Sequence, residues 1–502
     1  MVTADDSSSK SGGIAPEATG RQLFRGSAWM ISLRWTMRGI GLGSTLILAR
    51  LLTPEDFGLV AMASVGVGLL EVFTHAGVDL ALIRNPSVTR EHFDSAWTIN
   101  ICMGLALAAV LLGVAPLAAY YFGEPRIIVI IRVLAIRAVL GGFENIGVVT
   151  FRRDLDFATE FRFEVTKKAL NFVTTVALAL ILRNYWALVI GVVAAQAMAV
   201  LVSFLVHPFR PRFALSKVAE IWTFSGWLIL FRAGRYLNGR TDRLILGAIA
   251  GAKPTGSYHV AAELATAPTD ELVFPMARGL FPVFSKMTTE PTLLANSYKN
   301  VFSVVSLLCI AAGFGMAAAA EEIVVVVLGE QWLSAIPLVR TLALFGAVSG
   351  ITGSFETLLT VMGRVRALAA ITWLSFALQV PVLWAAGARW GPEGVAIGRL
   401  GVALVVGPLV ALVALRRFPL GVIPLIGTLS HRVLAGGLMV VAVLAPPFRS
   451  IDVAVLRLAV EVGAGAVTYL AATLLFWKLR GSPPGPERGM LDWLGSKLGR
   501  GG

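Results

Sequence analysis

Apolar runs of about 20 residues recur along the whole chain, separated by short polar stretches. Each run is long enough to cross the hydrocarbon core of a bilayer. Inside lipid every backbone N–H and C=O must be satisfied within its own segment, so the runs predict helices. The short alternating strands of a membrane barrel are not seen. Fourteen spans are predicted, at roughly 27–49, 58–83, 96–121, 127–150, 160–182, 185–206, 219–249, 257–283, 299–320, 334–361, 366–388, 393–415, 430–447 and 453–477. The segment 322–335 is apolar but short and reads as an interfacial turn before the tenth span. The expected class is an all-α polytopic membrane protein.

The polar stretches set the orientation, because Lys and Arg favour cytoplasmic loops. With the N-terminus in the cytoplasm, the inward connections hold Arg84 and Arg90, then Arg152, Arg153, Arg162, Lys167 and Lys168. Arg210, Arg212 and Lys217 follow, then Arg278, Lys286 and Lys299, Arg364 and Arg366, and Arg416, Arg417 and Arg432. The C-terminal stretch adds Lys478, Arg480, Arg488, Lys497 and Arg500. The outward connections hold single basic residues: Arg50, Arg126, Arg183, Lys253, Arg389 and Arg449. Both termini are therefore expected in the cytoplasm.

The pattern also repeats. Arg50-Leu-Leu-Thr-Pro-Glu-Asp-Phe-Gly58-Leu-Val-Ala is answered by Ala252-Lys-Pro-Thr-Gly256-Ser-Tyr-His-Val-Ala, and Phe122-Gly-Glu124 by Leu328-Gly-Glu330. Arg132 and Arg340 follow at similar distances. Both echoes join spans of equal orientation, so the repeat is parallel, six helices against six, about an axis along the membrane normal. The expected organisation is a disordered cytoplasmic tail (1–20), an N-terminal six-helix bundle (21–206) and a cytoplasmic linker (207–217). A C-terminal six-helix bundle (218–415), two extra helices (416–477) and a cytoplasmic tail (478–502) follow. Within that tail, residues 487–498 are compatible with a short amphipathic helix on the inner membrane surface.

Composition agrees with this reading. Of 502 residues, 56% are hydrophobic and 15% charged, less charge than soluble domains carry. The net charge of +13 raises nucleic acid as a partner, but its loop-by-loop asymmetry is topological and no nucleic acid is expected. Cys102 and Cys309 both lie in apolar runs and read as small buried side chains, not as a disulfide framework. Residues 1–20 are polar and show no signal-peptide core.

Ionisable residues at membrane depth then mark the chemistry, since each costs about 2.5–3.5 kcal/mol there. Span one holds Arg34 and Arg38 on one face; span two holds Glu71, His75 and Asp79 at four-residue steps. Span four has Arg132, Arg137 and Glu144. Span seven has Arg232, Arg235, Arg240, Asp242 and Arg243; span eight has Glu263, Asp270 and Glu271; span ten has Arg340 and Glu356. The repeat offset carries Arg34 onto Arg232 and Glu71 onto Thr269, beside Asp270. Facing first helices would thus line a central cavity with guanidinium groups, which suit phosphate by their planar fork. The bland alternative pairs Arg34 and Arg38 with Glu71 or Asp79 and lets Arg240 and Arg243 snorkel. His75 is as readily a bundle histidine as a proton carrier. No Walker loop occurs, the five histidines lack metal-ligand spacing, and Gly39-Ile-Gly41-Leu-Gly43 reads as close helix packing.

The Arg50-to-Ala61 stretch, Phe151-Arg-Arg-Asp-Leu-Asp-Phe157 and Arg240-Thr-Asp-Arg-Leu-Ile-Leu-Gly247 together resemble the Wzx-type polysaccharide-export flippases. These belong to the multidrug/oligosaccharidyl-lipid/polysaccharide (MOP) superfamily, and the resemblance spans about residues 20–415. It implies a MATE-like architecture in a bacterial inner membrane. It further implies a role in lipopolysaccharide or exopolysaccharide biosynthesis, carrying an undecaprenyl-diphosphate-linked oligosaccharide from the cytoplasmic to the periplasmic leaflet. A polysaccharide polymerase and chain-length regulator proteins are the partners expected beside the bilayer.

On this reading the chain is not an enzyme and needs no cofactor, with H+ or Na+ as candidate coupling ion. Substrate binding is expected at Arg34, Arg38, Arg132, Arg232, Arg235, Arg240 and Arg340, and ion coupling at Glu71, His75, Asp79 and Asp270. The alternatives are a cation-coupled drug or small-molecule antiporter on the same scaffold, and a non-transporting scaffold for polysaccharide assembly. A membrane glycosyltransferase would need a catalytic outer loop, and the outward connections are too short for one.

Overall fold

The computed structural model describes residues 16–74, 78–84, 87–218, 220, 226–416, 418–445, 453–481 and 487. Among these residues every regular element is helical. Among the described residues, eight helices are long and apolar enough to cross a membrane by length and composition. Side chains such as Tyr120 and Leu205, 88% and 84% exposed, face outward as lipid-facing residues do.

Helix α1 spans Pro16–Leu51, so it begins inside the stretch expected to be a disordered tail. Helix α2 (Pro54–Thr74) and the short α3 (Val78–Arg84) cover the predicted second span. The Thr-Pro-Glu-Asp stretch makes the start of α2. The Asp56 carboxylate accepts the Thr53 N–H at 2.9 Å, and Thr53 Oγ1 accepts the Asp56 N–H at 3.3 Å. Two orphan donors are thereby satisfied, and Pro54 opens the helix where no N–H is needed. Asp56 also accepts the Tyr185 N–H at 2.8 Å, which fixes a loop distant in sequence.

Helix α4 (Arg90–Phe122) ends at Gly123, whose φ of 64° closes the last turn in the left-handed region. Its echo, Gly329, has φ 101°. The repeated glycine is thus a backbone requirement at both sites. Helix α5 (Arg126–Gly142) stops before the predicted span end at 150. Asn145 breaks the run, because its side chain accepts the Gly147 N–H and donates to the Phe209 carbonyl, at 2.9 and 2.8 Å. The short α6 (Val149–Arg153) and α7 (Phe157–Leu182) then form a corner from the Phe-Arg-Arg-Asp-Leu-Asp-Phe motif. Asp156 caps α7 through the Thr159 N–H, and Arg152 pairs with Glu160.

Helices α8 (Trp186–Val206), α9 (Gly226–Ala250), α10 (Ala252–Lys286) and α11 (Pro291–Ala318) follow. The segment predicted as an interfacial turn is instead a buried corner: α12 (Ala320–Ile323), a wide π-helical turn over Val324–Leu328 and a tight 3-10 turn over Glu330–Ala335. Trp332 is fully buried there and donates to the Ala49 carbonyl at 2.8 Å. An indole with its N–H satisfied belongs in a core, not at a surface. Helix α13 (Ile336–Val361) leads to α14 (Val365–Leu415), which bends sharply at Gly391 (φ 58°, ψ −141°) before Pro392. The bend falls between the predicted spans 366–388 and 393–415. Helices α15 (Val422–Val443) and α16 (Ala454–Leu479) pack mainly on α11.

The cysteines form no disulfide; Cys309 is buried, while Cys102 is exposed, contrary to the reading of both as buried. Of the proposed amphipathic stretch 487–498, all but Glu487 lies outside the described residues.

The first-half and second-half helices meet most closely at α2 and α10. A Cβ on Gly58 would fall 1.8 Å from the Ala252 carbonyl oxygen, and one on Gly256 would fall 1.7 Å from that of Pro54. Pro54 and Ala252 are related by the same offset as Gly58 and Gly256. The contact therefore reads alike from both sides, as across a two-fold axis. A second crossing repeats it. Trp332 reaches Ala49 on α1, and the Phe122 ring lies 2.7 Å from where a Cβ on Gly247 of α9 would be.

Candidate functional site

Away from that tight crossing, the seam opens. Two adjoining cavities of about 400 and 460 Å³ lie between the halves and share Arg240, Arg243, His259 and Glu263. Two elements dominate their walls.

Helix α10 contributes His259, Glu263, Thr266 and Asp270. Their spacing of four, three and four places them in one stripe along the helix. Thr45 Oγ1 of α1 lies 3.5 Å from Glu263, and His259 Nδ1 has no hydrogen-bond partner among the described residues. Glu271, one residue beyond Asp270, turns toward α1, with Arg34 Nε at 3.4 Å and Arg38 Nε at 3.1 Å.

Helix α9 contributes Arg240, Asp242 and Arg243. Asp242 is fully buried and pairs with Arg399 from the second limb of α14. The Arg399 guanidinium also lies 4.5 Å from the Phe345 ring centroid. A buried carboxylate needs such a partner, since leaving either charge alone costs several kcal/mol. Arg243 is 8% exposed, and its Nε and Nη1 have no hydrogen-bond partner among the described residues. Two unsatisfied guanidinium donors at a cavity wall are placed to take an oxyanion. Arg240 borders both cavities and lies 5.9 Å from the Tyr236 ring. On the first-half side, Arg137 borders the larger cavity and a third one, of about 340 Å³, at the base of the N-terminal bundle.

Among the described residues, the chamber and its immediate shell thus carry six guanidiniums (Arg34, Arg38, Arg137, Arg240, Arg243 and Arg399) against four carboxylates (Asp242, Glu263, Asp270 and Glu271). The surplus is two positive charges. It is a polar seam with interleaved acids, less uniformly cationic than facing arginine helices alone would give.

The predicted residues divide accordingly. Arg38, Arg240 and Asp270 line the chamber. Arg34 and Arg38 do pair with an acid, but with Glu271 on the other half instead of Glu71 or Asp79. Three expected substrate ligands fall elsewhere. Arg340 is exposed and pairs with Glu321 at 3.5 Å, because it sits near the start of α13 and its long side chain reaches the surface. Arg132, near the start of α5, is likewise exposed and borders neither cavity. Arg235 is exposed and lies within electrostatic reach of Glu356. His75 and the side chains of Arg232, Glu71 and Asp79 lie outside the described residues.

Sequence reasoning noted Asp242, Arg243, Glu263 and Glu271 as charged positions without assigning them a role, and it passed over His259 and Arg399. Arg399 had a usable signal: a lone arginine within the apolar run 393–415 demands a buried acid somewhere. For His259 the signal was the stripe it forms with Glu263, Thr266 and Asp270. No group of acids, histidines or cysteines suited to a metal ion occurs among the described residues.

Two helical halves meeting at a pseudo-symmetric crossing, with charged cavities in the seam and further helices outside, define the class: a multi-pass membrane protein with a transporter architecture. The chain belongs to the polysaccharide biosynthesis protein family, which it matches over residues 47–337. It is 24% identical over 392 residues to the lipopolysaccharide biosynthesis protein WzxC of Escherichia coli (strain K12), covering 76% of this chain and 79% of that one. It is also 24% identical over 333 residues to the succinoglycan biosynthesis transport protein ExoT of Rhizobium meliloti (strain 1021), covering 66% and 67%. Its fold is similar to that of the lipid II flippase MurJ in an inward closed conformation, with a TM-score of 0.70, 13% identity and coverage of 89% of this chain and 99% of that one. An inward-facing multidrug resistance MATE family transporter of the MOP superfamily superposes with a TM-score of 0.59 at 17% identity, covering 75% and 93%. The chain shares the fold of these two transporters.

Proposed function

We propose that this protein is a flippase that moves an undecaprenyl-diphosphate-linked oligosaccharide from the cytoplasmic to the periplasmic leaflet by alternating access. The observation that carries the reading is the seam chamber, in which Arg240 and Arg243 present guanidinium groups between two halves closed on each other at one end. Relatives named for lipopolysaccharide biosynthesis and succinoglycan transport, and a structural neighbour named as a lipid II flippase, support it. In this reading fourteen helices cross a bacterial inner membrane with both termini in the cytoplasm. Two parallel six-helix halves, about 21–206 and 218–415, rock about the seam.

The diphosphate would sit against Arg240 and Arg243, with Arg38 completing the wall. The sugars would occupy the wet chamber and the polyprenyl tail the lipid between the halves. The crossing at Gly58 and Gly256, on the side away from the basic loops, is the periplasmic seal of an inward-closed state. Moving one charge through 100 mV is worth about 2.3 kcal/mol, so a dianion leaving a negative interior gains about 4.6 kcal/mol. No ATP site is required. Glu263 and Asp270, beside His259 on one stripe, are the acids placed to admit H+ or Na+ as a coupling ion.

The test is an Arg240→Ala/Arg243→Ala double variant, assayed in cells for lipid-linked sugar retained in the inner leaflet. Retention with normal protein levels supports the flippase. Undiminished export would remove its basis and favour the scaffold role. Loss of transport in Glu263→Gln with the arginine pair dispensable would favour a cation-coupled antiporter.

A further inference from the structure

Helices α15 and α16 take no part in the chamber, yet their basic ends carry a built site. Together with the start of α11 they enclose a pocket of about 350 Å³. Its charged lining is Lys299, His431, Arg432, Arg480 and Glu487. Arg432 is fully buried. One of its terminal nitrogens donates to Ser306 Oγ at 2.6 Å and to the Ser303 carbonyl; the other donates to Ser303 Oγ at 2.7 Å and to Glu487 Oε1 at 2.5 Å. Arg480 donates to the Gly427 carbonyl and lies 3.2 Å from His431 Nδ1.

Three permanent cations therefore face one carboxylate. Lys299 and Arg480 enter no ion pair among the described residues. Arg432 Nε, buried, has no hydrogen-bond partner there, and the buried His431 Nε2 lies 3.9 Å from Glu487 Oε1. The first turn of α15, where Gly421 supplies no capping side chain, borders the pocket through Ile423 and Pro424 and turns its positive dipole end toward it. Ile423, which lines the same pocket, is 83% exposed, so the pocket is bordered on one side by a surface suited to acyl chains. A basic pocket between helix ends at the cytoplasmic surface is the setting in which lipid headgroup phosphates bind.

We propose that this pocket binds the headgroup phosphate of an anionic phospholipid, and that Glu487 occupies it as an internal ligand in competition with that phosphate. Burial alone would raise the Glu487 pKa, but neighbouring His431 and the charge and hydrogen bond of Arg432 outweigh it and hold the carboxyl at about 2. It is thus ionised, and anionic like the phosphate it mimics. The site is independent of the chamber and of what the chamber carries.

The test uses the full-length protein in detergent, read by native mass spectrometry and titrated with phosphatidylglycerol, phosphatidylcholine or inorganic phosphate. Phosphatidylglycerol is expected to bind, with phosphatidylcholine and inorganic phosphate at least tenfold weaker. Lys299→Ala and Arg480→Gln should each weaken phosphatidylglycerol about fivefold, the effect of one basic residue near a membrane surface. Glu487→Gln, which removes the competitor, should strengthen it by several-fold. Equal binding of inorganic phosphate would overturn the lipid assignment. Unchanged binding in both basic-residue variants would overturn the site, and weaker binding in Glu487→Gln would overturn the competition. Both basic residues lie at the rim, and the Arg432 network stays intact in their variants.

Discussion

The two ends of the seam are built by opposite means. At the Gly58–Gly256 crossing the halves touch through backbone, with no side chain between them and no charge. Around Glu271 and Arg240 they face each other through long charged side chains across open volume. Close backbone packing through small residues gives a seal defined by shape, which is either seated or broken. Charged side chains across a wet gap give a lining that can trade partners as the gap changes. A carrier that must shut one side while holding an anion in the middle needs both.

The largest effect should follow from filling the seal. Gly58→Leu places side-chain atoms where the Ala252 carbonyl lies, and neither backbone can yield without moving its helix. Export should fall to background. A cysteine placed at Ser64 should become reactive to membrane-impermeant thiol reagents from outside; an unreactive cysteine would show that the crossing is not the seal.

Next comes the lining. Arg240→Ala/Arg243→Ala should lower transport by about tenfold to a hundredfold, in line with the net loss of one charge-assisted hydrogen bond of about 1.5–3 kcal/mol. The melting temperature should hold, because neither guanidinium is in an ion pair among the described residues. Arg399→Ala has the reverse profile. It leaves Asp242 buried and unpaired, and should cost about 3–5 kcal/mol of stability. Asp242→Asn added to Arg399→Gln should recover part of it in thermal unfolding.

Smaller effects come from the cross-half bridge. Glu271→Gln removes the carboxylate charge facing Arg34 and Arg38, which are 24% and 27% exposed, so screening keeps the stability change within about 1 kcal/mol. Transport should change by no more than several-fold. The smallest effect is a control far from the seam. His207, at the end of α8, has its pKa lowered by burial and by neighbouring Arg210. Its neutral ring therefore favours the fold above the ordinary value of 6.5, and that contribution falls away as pH drops below it. His207→Gln should flatten the acid limb of thermal stability between pH 7 and 5 while leaving transport unchanged.

How much of this the chain announces depends on the residue. The Thr53-Pro54-Glu55-Asp56 helix start, the Gly123 and Gly329 turns and the bend before Pro392 follow from local chemistry that any reader of the sequence can apply. The place of α1 charges opposite α10 was legible only as a kind of interaction: an arginine at membrane depth needs an acid, but nothing in the spacing distinguishes Glu271 from Glu71. Arg132 and Arg340 misled for a related reason. Their echo is real in sequence, but each lies close enough to a helix end for a flexible side chain to reach the surface.

The sequence by itself determined the membrane class and the all-helical build, because bilayer thickness and backbone satisfaction act on each segment alone. Tertiary structure alone decided which charges share a chamber. That depends on how helices far apart in the chain rotate and cross, as when Asp242 finds Arg399 and Gly58 seats against Ala252.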